Sequence, residues 1–178
     1  MQAQDYAQSK WAIGLRLPNY TDAEIEKAIS AKRIVRTWAM RSTLQFVAAK
    51  DYRWILSLVA PKRLAAGKSR NKQLALDDKI LERTNTLIVR ALEKEYLLTR
   101  DEINKILVKA KISTDQNRLS HILQHSVLNQ LTCFGPRKGK EFTFVLLEKW
   151  IPSQNFFRKK THYKKLLYDI LEAAVLQH

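Results

Sequence analysis

The stretch that decides the fold is residues 99–147, TRDEINKILVKAKISTDQNRLSHILQHSVLNQLTCFGPRKGKEFTFVLL. It begins with a capping-box sequence, Thr99 to Glu102, which is typical of a helix start. Behind it, apolar residues recur at the helical spacing i, i+3, i+4 and i+7: Ile103, Ile106, Leu107 and Ala110. A second box, Ser113 through Gln116, predicts another helix that runs to about Gln130. The remainder predicts a strand, a Gly- and Pro-containing turn and a second strand.

Upstream of this stretch, the residues from Asp78 to Tyr96 have the pattern of an amphipathic helix. Helix, helix, short turn, helix and then a hairpin with a basic tip is the order of a winged helix-turn-helix. We therefore expect residues 77–152 to be a complete winged helix. The fold class is mainly α with small β-hairpins, in tandem winged helix-turn-helix units.

Residues 1–60 predict the last two helices and the hairpin of the same unit, followed by one more helix. Asp5 is the expected N-cap of a helix over Tyr6 to Leu17, which Pro18 ends, and Thr21 to Glu24 is the capping box of the next helix. The β-rich run that follows predicts a hairpin with its turn near Arg41 and Ser42. This first winged helix is incomplete, because its first helix is missing.

Two further segments complete the predicted organisation. The helix after the hairpin should stop at Pro61, and residues 61–76 are then a mobile basic linker without acidic residues up to Leu74. That linker is either a solvated connection or a nucleic-acid contact. Residues 153–178 predict a C-terminal helix, about Thr161 to Val175, that would start a further element.

The charge of the chain points to a polyanionic partner. There are 32 Lys and Arg residues against 17 Asp and Glu, a net charge of +15 in 178 residues, which favours nucleic acid or an anionic membrane surface. The single cysteine, Cys133, excludes an internal disulfide framework, and we expect a cytoplasmic protein. No apolar run approaches the roughly 20 residues that span a bilayer, so a membrane role would have to be peripheral. Between the two partners we expect nucleic acid and no membrane.

The predicted third helix of the complete unit has a polar side suited to DNA. On a helical wheel the apolar residues Leu119, Ile122, Leu123 and Val127 form one face. The opposite side carries residues able to bind base edges or phosphates: Asn117, Arg118, His121, Gln124 and His125. In a helix-turn-helix this is the recognition surface, and the alternative is an ordinary solvated helix face.

The hairpin tip adds three cations, Arg137, Lys138 and Lys140, which we expect to contact phosphates. His121 and His125, four residues apart, also permit a metal pair, with Cys133 as a conceivable third ligand. The pattern has no acidic partner and no second ligand cluster, so we expect no metal site.

The N-terminus places two glutamines around a small residue, Gln2-Ala3-Gln4. In an extended segment, side chains two residues apart point to the same face, so both amides could lie side by side. They are either a polar lead-in to the first helix or half of a site.

Three ordered segments resemble a known bacterial family: QAQDYAQSKWAIGLR (2–16), IVRTWAMRSTLQFVAAKDYRWIL (34–56) and CFGPRKGKEFTFVLLEKWIP (133–152). The family consists of tandem winged-helix DNA-binding proteins and includes the AlkZ-like DNA glycosylases, which excise alkylated and crosslinked purines by hydrolysing the N-glycosidic bond. The resemblance implies double-stranded, alkylated DNA as partner, association with the nucleoid, and no metal or organic cofactor. It also implies that Gln2 and Gln4 are the catalytic residues.

Family members are longer, so we expect a truncated member. The alternative to a glycosylase is a non-catalytic DNA-binding module or a transcriptional regulator, and a third possibility is that the winged helices serve protein contacts. Winged helices host all of these functions, so the fold cannot decide among them.

Overall fold

The structure is a computed structural model that describes residues 1–16, 21–39 and 43–152. Three predicted features lie outside these residues. They are Leu17 and Pro18 at the predicted end of the first helix, the hairpin turn at Arg41 and Ser42, and the C-terminal helix about Thr161 to Val175. The first helix itself ends at Gly14, earlier than predicted. The described residues are mainly helical, with small antiparallel β-hairpins.

The first half of the chain opens with two helices and a hairpin, in the predicted order. Its elements are α1 (Tyr6–Gly14), α2 (Asp22–Ser30), β1 (Ile34–Trp38) and β2 (Leu44–Ala48). Asp5 is confirmed as the N-cap of α1, because its carboxylate accepts a hydrogen bond from the Gln8 N–H at 3.0 Å. The capping box of α2 is confirmed as well, with Thr21 and Glu24 each bonding the other's backbone N–H.

The N-terminal residues extend this hairpin on its β2 side. The Phe46 N–H donates to the Met1 carbonyl at 2.7 Å, and the Ala3 N–H donates to the Leu44 carbonyl at the same distance. Gln2 and Gln45 thereby form an antiparallel bridge. Because β2 pairs with β1 on its other side, the glutamine segment is held as a third, extended strand.

Helix α3 corrects the prediction for residues 61–76. It runs from Ala49 to Gln73 with Pro61 inside it, so this stretch is helical over most of its length and is not a linker. Pro61 removes one hydrogen bond, to the Ser57 carbonyl, which usually ends a helix. Here the apolar side of the helix is packed on both sides of the proline. Ala60 is buried and Leu64 packs against the main core, so tertiary contacts outweigh the missing bond.

The second half of the chain has the three predicted helices and the predicted hairpin, together with a short strand and a short helix that the sequence pattern does not predict. The elements are α4 (Asp78–Lys94), β3 (Leu98–Thr99), α5 (Arg100–Lys109), α6 (Arg118–Leu128), β4 (Thr132–Phe134), β5 (Thr143–Leu146) and α7 (Leu147–Trp150), of which β3 and α7 are the two that are not predicted. The strands form an antiparallel sheet in the order β3-β5-β4. The capping box of α5 at Thr99 and Glu102 is confirmed, with both hydrogen bonds present.

The start of α6 differs from the prediction. Ser113 does not cap this helix, because its hydroxyl bonds the Asp115 carboxylate at 3.2 Å. Gln116 and Asn117 both have positive φ values, 51° and 70°, so the backbone turns there before the helix begins at Arg118. Asn is one of the few residues that adopt this conformation readily, which explains why the local box sequence is overridden.

One hydrophobic core joins the two halves of the chain. It includes Val35 of β1 and Tyr52 and Leu56 of α3, together with buried residues from every helix of the second half. A second, smaller cluster lies under the N-terminal segment and is formed by Ala3, Ile25, Ile29 and Phe46. Among the residues that the structure describes, no helix is long and apolar enough to cross a membrane.

Candidate nucleic-acid interface

The glutamine segment has the side-chain alternation that its extended conformation requires. Ala3 is fully buried in the small cluster, whereas Gln2 and Gln4 are both exposed. The two amides therefore lie on the outward face, as neighbours two residues apart. Gln4 is also oriented, because its side-chain oxygen Oε1 accepts a hydrogen bond from the Leu44 N–H at 3.1 Å.

A buried arginine fixes the backbone between the two glutamines. Arg36 of β1 donates from Nε and Nη2 to the Ala3 carbonyl at 3.0 and 2.8 Å, and from Nη2 to the Gln4 carbonyl at 3.2 Å. Burial lowers the pKa of Arg36 to about 10, so the guanidinium is still charged near neutral pH. Hydrogen bonds from a charged donor are about twice as strong as neutral ones, so Arg36 anchors this segment.

Aromatic rings connect the glutamine segment to the hairpin tip of the second half. The Arg36 guanidinium lies 4.2 Å from the ring centre of Phe142, and the Tyr6 ring lies 5.1 Å from the same phenylalanine. Arg137 of the hairpin covers the Tyr6 ring at 5.0 Å. Tyr6 is held from the other side by a 2.9 Å hydrogen bond from its hydroxyl to Glu26. The structure thus brings Gln2 and Gln4 close to the predicted wing.

A cleft of about 330 Å³ opens beside Gln4, between the two hairpins. Its walls combine aromatic and aliphatic side chains, among them Trp38, Leu44 and Phe142, with charged residues of both signs: Arg36, Arg100 and Lys140, and Asp101 and Glu141. Leu44 is the residue whose N–H binds the Gln4 amide, so Gln4 neighbours a residue of the cleft without lining the cleft itself. The aromatic rings and cations are groups that stack on bases and bind phosphates, whereas the two carboxylates repel a phosphate.

The three hairpin cations differ in their surroundings. Arg137 is half-buried, and its Nη2 donates to the Lys140 carbonyl at 2.6 Å, so it also stiffens the tip. Lys138 is exposed and forms a 2.9 Å ion pair with Glu102 of α5. Lys140 is exposed. The two lysines are therefore the exposed cations of the tip, and the charge of Lys138 is paired with Glu102.

The polar residues of α6 lie elsewhere. The apolar face predicted for this helix is confirmed, with Leu119, Ile122, Leu123 and Val127 all buried. The opposite side, however, faces α3, and its residues His121, Gln124 and His125 are half-buried. His121, Gln124 and His125 line a cavity together with Arg63 and other α3 residues, and that cavity shares no lining residue with the cleft beside Gln4.

Two members of the predicted recognition surface stand at the start of α6. Asn117 is exposed and occupies the N-cap position. Arg118 is engaged within the protein, since its guanidinium donates to the carbonyls of Leu74 and Ala75 just after α3 and to Ser113 at 2.8 Å. Arg118 therefore holds the end of α3 against α6.

The pair His121 and His125 is not joined by Cys133. The ring nitrogens of His125 lie 3.2 and 3.1 Å from the side-chain amides of Asn85 and Asn129. Cys133 is buried in β4, where burial raises the pKa of its thiol. Within residues 1–16, 21–39 and 43–152, no group of three or more His, Cys, Asp or Glu side chains could hold a metal ion.

Sequence reasoning missed Arg36, Tyr6 and Phe142 as members of this region. The available signal was a charged residue, Arg36, in the middle of an otherwise apolar strand, IVRTW. A charge in that position usually has a buried partner, but the sequence does not tell which backbone carbonyls it meets.

A model of the family described as DNA glycosylase AlkZ-like matches residues 1–175. Because the match covers nearly the whole chain, the protein belongs to the AlkZ-like DNA glycosylase family. The structure is also similar to that of the Streptomyces sahachiroi DNA glycosylase AlkZ, with a TM-score of 0.71 and 21% sequence identity. The similarity covers 86% of this chain and 42% of the Streptomyces protein, so the chain spans less than half of that relative's length. No curated protein matches the sequence.

Proposed function

We propose that this protein is a double-stranded DNA-binding, tandem winged-helix glycosylase that removes alkylated purines by hydrolysing the N-glycosidic bond. The observation that carries the proposal is the glutamine pair, held in an anchored extended strand in which Gln4 is bonded to Leu44, a residue of the cleft between the two hairpins. Family membership supplies the reaction class. Such a protein would act on the nucleoid, in the cytoplasm, without a metal or an organic cofactor.

The repeated order of elements supports the tandem winged-helix description. The segment before α1 pairs with β2, as β3 before α5 pairs with β5. In both halves of the chain a pair of helices then precedes an antiparallel hairpin, and a helix follows directly, α3 in the first half and α7 in the second. We place the unit boundaries at residues 1–60 and 77–152, with α3 bridging the two.

The proposed chemistry is electrostatic preorganisation. Cleavage of an N-glycosidic bond passes through an oxocarbenium-like transition state, which needs a water molecule and dipolar or negative stabilisation. A glutamine amide is not a base near neutral pH, but Gln2 and Gln4 can orient a water and direct carbonyl dipoles at the developing positive charge. The Leu44 N–H uses one lone pair of the Gln4 oxygen, and a second lone pair is available to the water.

The leaving group makes this modest assistance sufficient. A purine alkylated at N7 is already cationic, so it departs with its electrons more readily than an unmodified base. Asp5 is the nearest carboxylate in sequence, but it caps α1 through the Gln8 N–H. We therefore assign Asp5 a structural role and assign no general base; the carboxylates that line the cleft are Asp101 and Glu141.

The excision test uses a duplex oligonucleotide containing N7-methylguanine, with release of the free base as the readout. We expect Gln4→Ala and Gln2→Ala to lower the single-turnover excision rate at least about tenfold, as expected for the loss of a positioned dipole. Duplex affinity should stay within a factor of two to three of wild type. Gln8→Ala, at an exposed glutamine one helical turn into α1, is the matched control and should excise normally.

An unchanged excision rate in both variants would remove the glutamines from the mechanism. If the wild-type chain binds the duplex but releases no base, the non-catalytic DNA-binding module is the better description.

A salt series tests the wing as a phosphate contact. Each phosphate contact contributes about 0.9 to the slope of log K against log salt, so the double variant Lys138→Gln/Lys140→Gln should show a slope smaller in magnitude by about 1 to 2. The matched control removes two exposed lysines of α4, Lys79→Gln/Lys94→Gln. Equal slopes for the wing variant and wild type would show that the tip is only a surface loop.

Four of the five polar residues predicted for the recognition surface of α6 are proposed to contact DNA. Asn117 is exposed, and His121, Gln124 and His125 reach the mouth of the cavity beside α3, where a DNA backbone could approach them. Arg118 is occupied by the end of α3, so we assign it to holding the interface between the helices.

A further inference from the structure

The cavity between α3 and α6 lies outside the proposed excision site and has a distinctive lining. Its volume is about 190 Å³. From α3 it takes Arg63, Arg70 and Asn71, and from α6 it takes His121, Gln124 and His125. Among the described residues, no carboxylate lines it.

Within the part of the chain that the structure describes, the lining thus carries the positive charges of Arg63 and Arg70 and no negative charge. Arg63 is half-buried. Arg70 is exposed at the edge of the cavity and donates one N–H to Gln73 at 2.9 Å, so its other guanidinium N–H groups can serve as donors. Burial and the neighbouring Arg70 charge lower the pKa of His121. Cations collected in a partly enclosed space repel one another, and an anion placed there removes that repulsion.

The wall of α3 is shaped to leave this space open. Arg63, Gly67, Arg70 and Asn71 recur at i, i+4, i+7 and i+8, so they lie on one face of the helix. A Cβ at Gly67 would meet no atom within 4 Å. Packing therefore does not demand a glycine here, although glycine weakens a helix by about 1 kcal/mol relative to alanine. The missing side chain widens the cavity between the two arginines.

From these observations we propose that the cavity between α3 and α6 binds one phosphate group. Arginine forks match the geometry of phosphate oxygens and bind them through paired, charge-assisted hydrogen bonds. The side chains of Gln124 and His121 supply further donors from the facing helix. The phosphate is either a phosphodiester of the DNA backbone, or a free inorganic or nucleotide phosphate, and the same donors serve both.

The first arm of the test measures inorganic phosphate binding by calorimetry, with chloride exchanged to keep the ionic strength constant. Wild type should bind, and Arg70→Gln should bind at least about tenfold more weakly because a charge-assisted contact is lost. Lys68→Gln is the matched control. It removes an exposed cation from the same helix, outside the cavity, and should bind like wild type.

A second pair of variants tests whether phosphate binding needs the open volume beside Gly67. Gly67→Leu should fill the cavity and weaken phosphate binding, whereas Gly67→Ala adds only a methyl group and should leave binding intact. Both substitutions favour the helix, so a loss confined to Gly67→Leu would come from occlusion and not from unfolding.

The second arm measures duplex affinity against salt for the same variants, and it identifies the source of the phosphate. If Arg70→Gln reduces the slope by about 0.9 and Lys68→Gln changes it less, the ligand is a DNA phosphodiester, whether or not free phosphate binds. If free phosphate binds, and Arg70→Gln and Lys68→Gln show the same slope of duplex log K against log salt, the ligand is a free or nucleotide phosphate. No phosphate binding by wild type, together with equal slopes for Arg70→Gln and Lys68→Gln, would overturn the proposal. Base release by these variants is measured separately. A failure of the proposed phosphate site can therefore be distinguished from a failure of the proposed excision site.

Discussion

At the scale of single residues, the anchoring of the N-terminus depends on Arg36. Its guanidinium joins two backbone carbonyls of the glutamine segment to the ring of Phe142. A terminus normally frays unless it is tied down. In this protein the pairing with β2 and the Arg36 bonds hold it, and the glutamine amides are presented from a fixed backbone.

We predict that Arg36→Met destabilises the protein by about 2–3 kcal/mol, because the Ala3 and Gln4 carbonyls lose a charged donor. The methionine keeps most of the apolar volume against Phe142. Amide hydrogen exchange should accelerate most at Ala3 and Phe46, whose N–H groups close the ladder between the terminus and β2. Uniform acceleration across all helices would contradict this local role.

At the same scale, the burial of His125 makes the free energy of unfolding depend on pH. Burial between α6 and its neighbours lowers its pKa below the ordinary value, and the Asp78 carboxylate opposes only some of that effect. The unfolded chain therefore takes up the proton first as pH falls. His121 shifts in the same direction, with the Arg70 charge adding to its burial.

We predict that the free energy of unfolding decreases as pH falls from about 7.5 through the ordinary histidine pKa of about 6.5. The decrease should level off once His125 is protonated in the folded state as well. Urea titrations at several pH values measure it, and His125→Gln should show a shallower dependence. An identical pH profile for this variant would rule out His125 as a source.

At the scale of elements, α3 shows local sequence and tertiary packing in conflict. The Pro61 ring and its missing N–H oppose a helix, yet Ala49–Gln73 is continuous because Ala60 before the proline is buried and Leu64 after it packs against the main core. The end of the helix is then secured by Leu74 and Leu76, which are buried, and by the Arg118 guanidinium. Because its end is fixed in this way, α3 can form one wall of the cavity beside α6.

We predict that Pro61→Ala stabilises the protein by about 1–2 kcal/mol. The variant regains a hydrogen bond to the Ser57 carbonyl, and some of that gain is offset by the larger entropy of its unfolded chain. Lys62→Ala, at the next exposed position, should change the unfolding free energy by less than about 0.5 kcal/mol. A destabilised Pro61→Ala would mean that the proline shapes a bend that the packing of α3 requires.

At the scale of the whole molecule, the two predicted units share one core. Leu56 of α3 belongs to the same buried cluster as Ile122 of α6 and Leu147 of α7. The strand β1 also packs against β4, where the Trp38 and Phe134 rings lie 5.0 Å apart. A shared core of this kind couples the stability of both units.

We therefore predict a single cooperative unfolding transition in urea, with coincident curves from far-UV circular dichroism and tryptophan fluorescence. Leu56→Ala should shift both curves together, with a loss of about 2–5 kcal/mol. Two separate transitions, with only one of them sensitive to Leu56→Ala, would show that the units fold independently.

Much of the element pattern was predictable from the sequence, because it is encoded locally. Capping residues such as Asp5, Thr21 and Thr99 mark helix starts through contacts three residues away. The predicted box at Ser113 failed for a reason that is also local: the backbone adopts left-handed conformations at Gln116 and Asn117, and a box motif cannot reveal them.

The sequence by itself determined the order of helices and hairpins, the buried face of α6, the outward pairing of Gln2 and Gln4, and the basic hairpin tip. Only the tertiary structure decided that α3 passes through Pro61 to face the polar side of α6, and that Arg36 and Phe142 join the glutamines to the wing. The physical reason is the range of the interactions. Periodicity and capping act within a few residues, whereas Arg36 meets Ala3 and Phe142 across 33 and 106 positions, and only packing selects which distant faces meet.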